Sequence, residues 1–409
     1  MRLYLLLILL IAGCTSQVTP DEKPSEPKSP LTTGNWAFEY ELAPDTMLKQ
    51  HVSIDSTFRF TFHNGEEEIT TDPAMIGGDS IYIEMPVYHT YFIGTISETN
   101  TIDGNWYNPA RGGDYMIPFH ASVSEEEMMA TKGETEEQTY DVSFSPNTDD
   151  MYRALGQFKT SDGSITGTFE TETGDYRYLY GETVNGKSTL QCFDGSHVFW
   201  FEFDHTADSI AGVFKSGTHW HESFEGVRDD TAELRDPFEI TELVSDEALA
   251  FTAIDMDGEL MEINAETFAN KVTIVQIFGS WCPNCLDESR YFADLHARYA
   301  DQGLQILPIA FERSDDFSTN QIHLQKYIDE LELPYTIYLG GKASKSKAAE
   351  KFPMLSNISS FPTSLFIDGD GNIRHIHTGF YGPGTGVKYE MYQEATESII
   401  SELLEESTS

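Results

Sequence analysis

The chain has 409 residues and a formal net charge of −43, from 25 Lys and Arg against 68 Asp and Glu. Because such a surface repels nucleic acid and anionic lipid, and no basic stripe opposes it, nucleic-acid binding is excluded as a function. Apolar residues make up 39% of the chain and aromatic residues 12%, which is enough for globular cores and excludes a disordered chain.

The N-terminus has the pattern of an export signal. Arg2 precedes an apolar run, Leu3 to Ala12, that is too short to span a membrane as a helix. The run ends in "LIAGC", which resembles a bacterial lipobox. This resemblance implies a signal peptide over residues 1–13, lipidation of Cys14, and a membrane-anchored protein that faces the periplasm or the cell exterior. The alternative is an ordinary secretory signal with a fortuitous cysteine.

Residues 14–33 follow as a tether. After Cys14 the segment contains four prolines, several Ser and Thr, and no aromatic residue. This composition is typical of a solvated linker that holds a folded body away from a membrane.

Residues 34–244 are predicted to form an all-β domain with a barrel-like or sandwich-like architecture. Runs such as "STFRFTF" (56–62) and "HVFWFEF" (197–203) alternate apolar and polar residues, as half-buried strands do. The phrases "TIDGNW", "SITGTF" and "SIAGVF" each place a glycine inside a strand, which predicts similar bends or corners. The acidic stretch over 122–140 is interpreted as a surface loop or short exposed helix.

No function follows from the sequence of this β-rich region. His219 and His221 are two residues apart, a spacing that metal ligands can use on a strand, but two ligands do not make a zinc site. Two exposed or paired strand histidines are the preferred interpretation. Cys192 lies between apolar positions and is predicted to be a buried free thiol, with a mixed disulfide as the alternative.

The periodicity changes near residue 245, where strands begin to alternate with helices. "VTIVQIFGS" (272–280) is a nearly continuous apolar run, typical of a strand buried on both faces. The remaining elements are predicted at "ALAFTAID", "LQILPIAFE", "YTIYLG" and "TSLFIDGDGNIRHIHTG" for strands, and at "LDESRYFADLHARYADQG", "NQIHLQKYIDELEL" and "YEMYQEATESIISELLEE" for helices. Residues 245–409 are therefore expected to form a mixed, mostly parallel sheet with helices on both faces.

Cys282 and Cys285 lie where the buried strand ends and a helix begins. Pro283 suits the first helical position, and the unpaired N–H groups there favour a thiolate at Cys282. Cys-x-x-Cys pairs at helix starts have depressed thiol pKa values, and the second cysteine can resolve a mixed disulfide. A zinc half-site is less favoured because no second Cys-x-x-Cys exists, and a structural disulfide would close only a small loop. We expect no metal.

The pair and its surroundings resemble the thioredoxin fold. "VQIFGSWCPNC", with "SFPTSLFIDGDG" some eighty residues later, is similar to the membrane-anchored thiol–disulfide oxidoreductases of the TlpA/ResA type. The resemblance implies that Cys282 attacks, Cys285 resolves, and Pro362 is a cis-proline that presents backbone to the substrate. It further implies that Trp281 flanks the site and that Glu288 aids proton transfer, although an ordinary exposed helix carboxylate is the alternative for Glu288.

The sequence departs from the family pattern near the cysteines. Gln276 stands where thioredoxins have a buried Asp and many members of this group have an Asn, and glutamine cannot act as a base. The inner dipeptide is Pro283-Asn284, which leaves the reduction potential and the direction of exchange open. Phe361, before Pro362, is bulky and is expected to narrow the choice of substrate.

These observations predict a cell-envelope oxidoreductase that reduces protein disulfides without a bound cofactor. Its expected partners are disulfide-containing proteins and a membrane electron donor of the disulfide-reducing type. One alternative is a binding lipoprotein whose redox pair services only a bound partner, which a conspicuous cavity in the β domain would favour. A disulfide oxidase or isomerase is the other.

Overall fold

The computed structural model describes residues 31–125, 135–245 and 247–407. The predicted signal peptide, Cys14 and nearly all of the tether lie outside the described residues. Within these ranges no helix is both long and apolar enough to cross a membrane. The chain forms two antiparallel sheets, followed by a third sheet that is mixed and carries helices.

The first sheet is open and has the strand order β4-β3-β2-β1-β9-β8-β7-β6-β5. Alternate residues along its strands are buried, and the core contains Trp36, Phe38, Phe92 and Trp106. Its strands are β1 (Gly34–Ala43), β2 (Thr46–Ile54), β3 (Phe60–Asn64), β4 (Glu67–Thr70), β5 (Met75–Gly77), β6 (Ser80–Glu84), β7 (Tyr91–Ile96), β8 (Ile102–Tyr107) and β9 (Met116–Val123).

The second sheet closes into a barrel because β12 pairs with both β14 and β11. Its strands are β10 (Glu136–Phe144), β11 (Tyr152–Ser161), β12 (Ser164–Thr171), β13 (Gly174–Asp175), β14 (Leu179–Val184), β15 (Lys187–Phe193), β16 (Val198–His205), β17 (Ser209–Ser216) and β18 (Trp220–Arg228). The predicted acidic loop over 122–140 is wrong at both ends, since β9 reaches Val123 and β10 begins at Glu136. Residues 126–134, between them, lie outside the described residues.

Aromatic rings fill the barrel. The rings of Phe201 and Phe214 stack with centroids 4.4 Å apart, and those of Phe169 and Phe201 with centroids 4.8 Å apart. Cys192 lies fully buried in the same core as a free cysteine, which confirms its prediction. The described interior of this barrel is a core of packed apolar and aromatic side chains.

The glycines of the repeated phrase serve close strand approach. A Cβ atom on Gly167 would lie 1.9 Å from the carbonyl oxygen of Gln157, and one on Gly212 would lie 2.1 Å from that of Glu202. The pairing register is unbroken at both positions, so neither glycine marks a β-bulge. Only a residue without a side chain lets the neighbouring backbone approach so closely.

The third sheet has the order β20-β19-β23-β22-β21-β24-β25. Its strands are β19 (Phe251–Ile254), β20 (Leu260–Ile263), β21 (Val272–Phe278), β22 (Leu304–Glu312), β23 (Tyr338–Lys342), β24 (Thr363–Ile367) and β25 (Ile373–Thr378). The helices are α1 (Ala265–Phe268), α2 (Pro283–Tyr299), α3 (Phe317–Leu331), α4 (Lys345–Lys351) and α5 (Val387–Ser407), with short 3₁₀ turns at Pro109–Arg111, Pro237–Glu239, Ala300–Gln302 and Pro383–Thr385.

The expectation of a mostly parallel sheet is not confirmed. Only β21–β22 and β22–β23 are parallel pairs, whereas β19–β20, β19–β23, β21–β24 and β24–β25 are antiparallel. Parallel pairing needs a crossover, and α2 and α3 supply the two that exist. Short turns join β19 to β20 and β24 to β25, so those strands must run in opposite directions.

Helices cover both faces of this sheet, as predicted. On β21, Ile274 packs in one cluster with Phe292 of α2, while the adjacent Val275 packs in another with Phe268 of α1 and Ala348 of α4. All seven residues of β21 are buried, because neighbouring side chains of a strand point to opposite faces. The cysteines therefore lie at the end of the sheet where the C-terminus of strand β21 emerges.

Candidate active site

The two cysteines lie where β21 gives way to α2. Cys282 caps the helix, and its Sγ accepts a hydrogen bond of 3.3 Å from the backbone N–H of Cys285. The pair forms a disulfide with its Cα atoms 5.2 Å apart, and Pro283 occupies the first turn. Once the disulfide is reduced, the same N–H groups and the helix dipole stabilise a thiolate on Cys282.

The structure brings the predicted flanking residues to Cys282. The Phe361–Pro362 peptide bond is cis, and the carbonyl oxygen of Phe361 lies 3.4 Å from the Cys282 Sγ. The Trp281 ring meets that of Phe361 edge to face at 5.8 Å, and its Nε1 donates to the carbonyl of Phe311 at 2.9 Å. These side chains form one wall beside the disulfide.

Glu288 is buried one helical turn beyond Cys285, so it is not an ordinary exposed helix carboxylate. Its Oε1 accepts hydrogen bonds from the hydroxyls of Ser364 at 3.0 Å and Tyr392 at 3.1 Å. Burial raises the pKa of this carboxyl to about 7, although its hydrogen bonds oppose the shift. A group with this pKa can take up and release protons near neutral pH.

Gln276 links Glu288 to the second cysteine. Its Nε2 donates to Glu288 Oε2 at 2.9 Å and lies 3.5 Å from the carbonyl oxygen of Cys285. Tyr327 donates to that same carbonyl at 3.2 Å. The residue that seemed a departure from the family pattern therefore holds the buried carboxyl against the backbone of Cys285.

The buried carboxyl makes stability depend on pH. Because the pKa of Glu288 rises from 4.5 to about 7, the folded chain binds this proton more tightly than the unfolded chain does. Protonated Glu288 therefore stabilises the folded chain at low pH, and this stabilisation is lost as pH rises through about 7. The change in the free energy of unfolding is on the order of 3 kcal/mol. We expect Glu288→Gln to weaken this pH dependence.

Urea unfolding at about pH 5 and about pH 8 measures the effect. Glu402→Gln is the matched control, because Glu402 is an exposed carboxylate on α5. Equal pH dependence in the wild type and in Glu288→Gln would show that Glu288 does not titrate in this range.

A buried arginine joins the barrel to the active-site helix. Arg177 is 4% exposed. Its Nη1 donates to Asp287 Oδ2 at 2.5 Å and to the carbonyl of Pro283 at 3.2 Å. Its Nη2 forms an ion pair with Glu67 of the first sheet. Three parts of the chain therefore meet at one guanidinium, directly beside the Cys-Pro-Asn-Cys turn.

Sequence reasoning missed this cluster. Asp287 was visible in "LDES", but nothing in its neighbourhood distinguishes it from a solvated helix carboxylate. Arg177 lies 110 residues earlier and belongs to another sheet. Only a weak signal was present in the sequence, since Arg177 is the single basic residue within "TGDYRYLYG". Its positive φ of 62° could not be predicted from the sequence.

The histidine pair of the β region does not form a metal site. His219 precedes β18 and meets Arg111 through Nε2 at 2.7 Å and Tyr115 through Nδ1 at 3.0 Å. In the described part of the chain, no group of three or more His, Cys, Asp or Glu side chains is arranged to hold a metal ion.

Comparison with known proteins gives concordant matches in the C-terminal region. The sequence model of the AhpC/TSA family matches residues 244–376. Thiol-disulfide oxidoreductase ResA of Bacillus thuringiensis subsp. konkukian is 26% identical over 130 residues, which are 32% of this chain and 66% of ResA. The ResA of Halalkalibacterium halodurans is 24% identical over 154 residues, 38% of this chain and 76% of that protein.

A thioredoxin-family thiol:disulfide interchange protein of Chlorobium tepidum TLS is similar in structure. It is 18% identical, with a TM-score of 0.30, and the alignment covers 42% of this chain and 99% of that one. The matched part of the chain spans about two thirds of the Bacillus thuringiensis ResA. The sequence matches in the C-terminal region support a thiol–disulfide oxidoreductase activity of the ResA/TlpA type.

Proposed function

We propose that the chain reduces disulfides of partner proteins in the cell envelope. Cys282 thiolate attacks a substrate disulfide and forms a mixed disulfide, which Cys285 resolves. The exchange needs no bound cofactor, and a membrane donor of the disulfide-reducing type returns the dithiol. The main observation that supports this proposal is the Cys282–Cys285 pair at the start of α2, with the cis Phe361–Pro362 peptide bond beside it.

Glu288 is assigned to proton transfer in this scheme. Attack by Cys285 requires loss of its thiol proton. The buried carboxyl, connected through Gln276 to the Cys285 backbone, has a pKa of about 7 and is a suitable acceptor. Trp281 and Phe361 are assigned to the substrate-facing wall, and Pro362 to backbone pairing with the substrate.

The direction of exchange is tested by the reduction potential of the pair. The protein would begin after Cys14, carry Cys192→Ser to leave one redox pair, and be equilibrated in thiol buffers. A reductase is expected to lie near or below about −250 mV. A value near about −120 mV would instead assign an oxidase.

The location in the envelope rests on the sequence pattern of residues 1–14. Lipidation at Cys14 would keep the protein on a membrane, with the tether separating the folded part from the surface. Metabolic labelling with a fatty acid checks this assignment. Label is expected in the wild type and absent in Cys14→Ala, and label that survives the substitution would contradict a lipid anchor at this cysteine.

The binding-protein alternative lacks a supporting observation in the barrel, because aromatic side chains fill its interior. A filled barrel favours a structural role over ligand storage. The N-terminal region is therefore assigned to the control of access to the redox pair, which its contacts with the C-terminal domain support.

A further inference from the structure

The barrel covers one side of the redox site. Ser360, next to the cis-proline turn, donates its hydroxyl to the carbonyl of Thr173 at 3.0 Å. The backbone N–H of Gly382 donates to the carboxylate of Asp175 at 2.7 Å. With Arg177 on the carbonyl of Pro283, these contacts occupy surface around the cysteines that a large substrate would otherwise use.

The loop between β6 and β7 covers a second side. Val87 and Tyr88 pack in one apolar cluster with Cys282 and Cys285. Lys326 of α3 holds the loop in place, since its Nζ donates to the carbonyl of Tyr88 at 3.0 Å. Cys282 is left only 6% exposed, so the disulfide of a folded protein cannot reach it unless the N-terminal region moves.

A cavity of about 300 Å³ remains open beside Trp281, between the first sheet, the barrel and the C-terminal domain. This volume suits a small molecule and is far too small for a folded protein. The cavity is lined by Val87 and Tyr88 of the loop between β6 and β7, by Trp281, which precedes Cys282, and by Arg313. Trp281, the residue directly before Cys282 in the chain, is the lining residue that connects this cavity with the redox pair.

Three residues of the cavity wall each have a buried polar atom without a partner in the described part of the chain. The hydroxyl of Tyr88, Nε2 of His89 and Oδ1 of Asn108 are buried and make no hydrogen bond to any described residue. Buried polar groups are nearly always satisfied, and each exception costs about 1–3 kcal/mol.

The cavity also contains an unpaired cation. Arg313 lies over the Trp281 ring at 4.5 Å and donates to the carbonyl of Ala110 at 3.4 Å, but it makes no ion pair with any described carboxylate. Arg111 is near enough for its charge to repel that of Arg313. The one carboxylate in the wall, Glu312, accepts hydrogen bonds from the backbone and hydroxyl of Ser280.

In a chain of net charge −43, neither Arg313 nor the nearby Arg111 forms an ion pair with a described carboxylate, although Glu312 attracts the charge of Arg313 and Asp194 that of Arg111. Arginine binds a carboxylate through two parallel N–H donors, and the interaction strengthens away from bulk water. We propose that this cavity binds a low-molecular-weight disulfide that carries carboxylates, with Arg313 as the carboxylate-binding residue. This inference rests on the proposed exchange function. It names a class of substrate that is small enough to enter the cavity while the N-terminal region covers the redox site.

The reaction balances within the site. The Cys282 thiolate bonds to one substrate sulfur, the substrate S–S bond breaks, and one thiolate leaves. The Cys285 thiolate then bonds to the Cys282 sulfur and expels the second. The substrate gains two electrons and two protons, and the protein dithiol loses them, so a pre-reduced chain completes one turnover without a donor.

The test uses the pre-reduced chain beginning after Cys14, in single turnover, with two disulfides of similar size. Dithiodipropionate carries two carboxylates, and hydroxyethyl disulfide is neutral. Each rate constant, from loss of free thiols, is divided by that of a simple dithiol in solution to remove intrinsic reactivity. We expect the wild type to prefer dithiodipropionate about tenfold, as for a charge-assisted contact, with the preference falling as salt rises.

Arg313→Gln is expected to bring the ratio of the two normalised rate constants to about one, as expected for loss of the carboxylate contact. Arg374→Gln is the matched control, because Arg374 pairs with Glu406 on α5 and takes no part in the cavity; it should keep the preference. Equal normalised rates in the wild type, or an unchanged ratio in Arg313→Gln, overturn the binding site alone. A reduced chain that exchanges with neither compound overturns the proposed function as well.

Discussion

Replacing Cys282 with serine should reduce disulfide exchange on the order of a thousandfold or more, the scale lost when a nucleophile is removed. Its Sγ is at the helix start beside the cis-proline turn, where the attacking thiolate is stabilised. A hydroxyl in the same position cannot form a disulfide, so no other group replaces it. Reduction of a model disulfide by the pre-reduced protein gives the measurement.

The Cys285→Ser variant should behave differently. Cys285 is fully buried and cannot begin the reaction, but without it the mixed disulfide on Cys282 persists. Mass spectrometry should find a covalent adduct with Cys285→Ser and none with Cys282→Ser. Cys192→Ser is the control and should exchange normally, because Cys192 lies in the barrel core. An adduct on Cys282→Ser would mean that the roles of the two cysteines are reversed.

Arg177→Ala should destabilise the chain by about 3–5 kcal/mol, the range for removing one member of a buried ion pair. The substitution removes the cation that Asp287 and Glu67 share, and their side chains are only 8% and 11% exposed. Among the described cations, Asp287 then keeps only its contact with Arg290, at 3.3 Å. Thermal or urea unfolding measures the loss. Arg235→Ala is the matched control: its pair with Glu172 is exposed, so the loss should stay below about 1 kcal/mol.

The same substitution should open the redox site. Arg177 holds the barrel against the carbonyl of Pro283, one residue from Cys282. Without it, a bulky maleimide should alkylate the reduced Cys282 faster than in the wild type or in Arg235→Ala. If alkylation is unchanged while stability falls, Arg177 stabilises the fold without controlling access.

The reactive pair could be predicted from sequence because its determinants are local. A buried strand, a Cys-x-x-Cys turn, a proline at the first helical position and a helix follow one another within about thirty residues, as periodicity and capping preferences allow. The three long helices and all strands of the C-terminal domain except β20 were predicted for the same reason, whereas the short helices α1 and α4 were not predicted. Pairing direction was less predictable, because it depends on how each connection returns to the sheet.

The burial of Glu288 could not be derived from its position on α2. Helical spacing places it one turn after Cys285, but only packing against Ser364 and Tyr392 removes it from water and raises its pKa. Those partners lie 76 and 104 residues further along the chain. The environment of a carboxyl is a property of the assembled core.

The sequence by itself determined the chemistry: a cysteine pair at a helix start, in a thioredoxin-like domain that follows a β-rich region. Tertiary structure alone decided access to that chemistry. The barrel turn around Arg177 and the loop around Tyr88 meet beside the cysteines from separate parts of the chain, and Arg313 lies over the ring of the neighbouring Trp281. Local patterns record which strand or helix a residue joins, whereas contacts between distant surfaces depend on how complete sheets pack together.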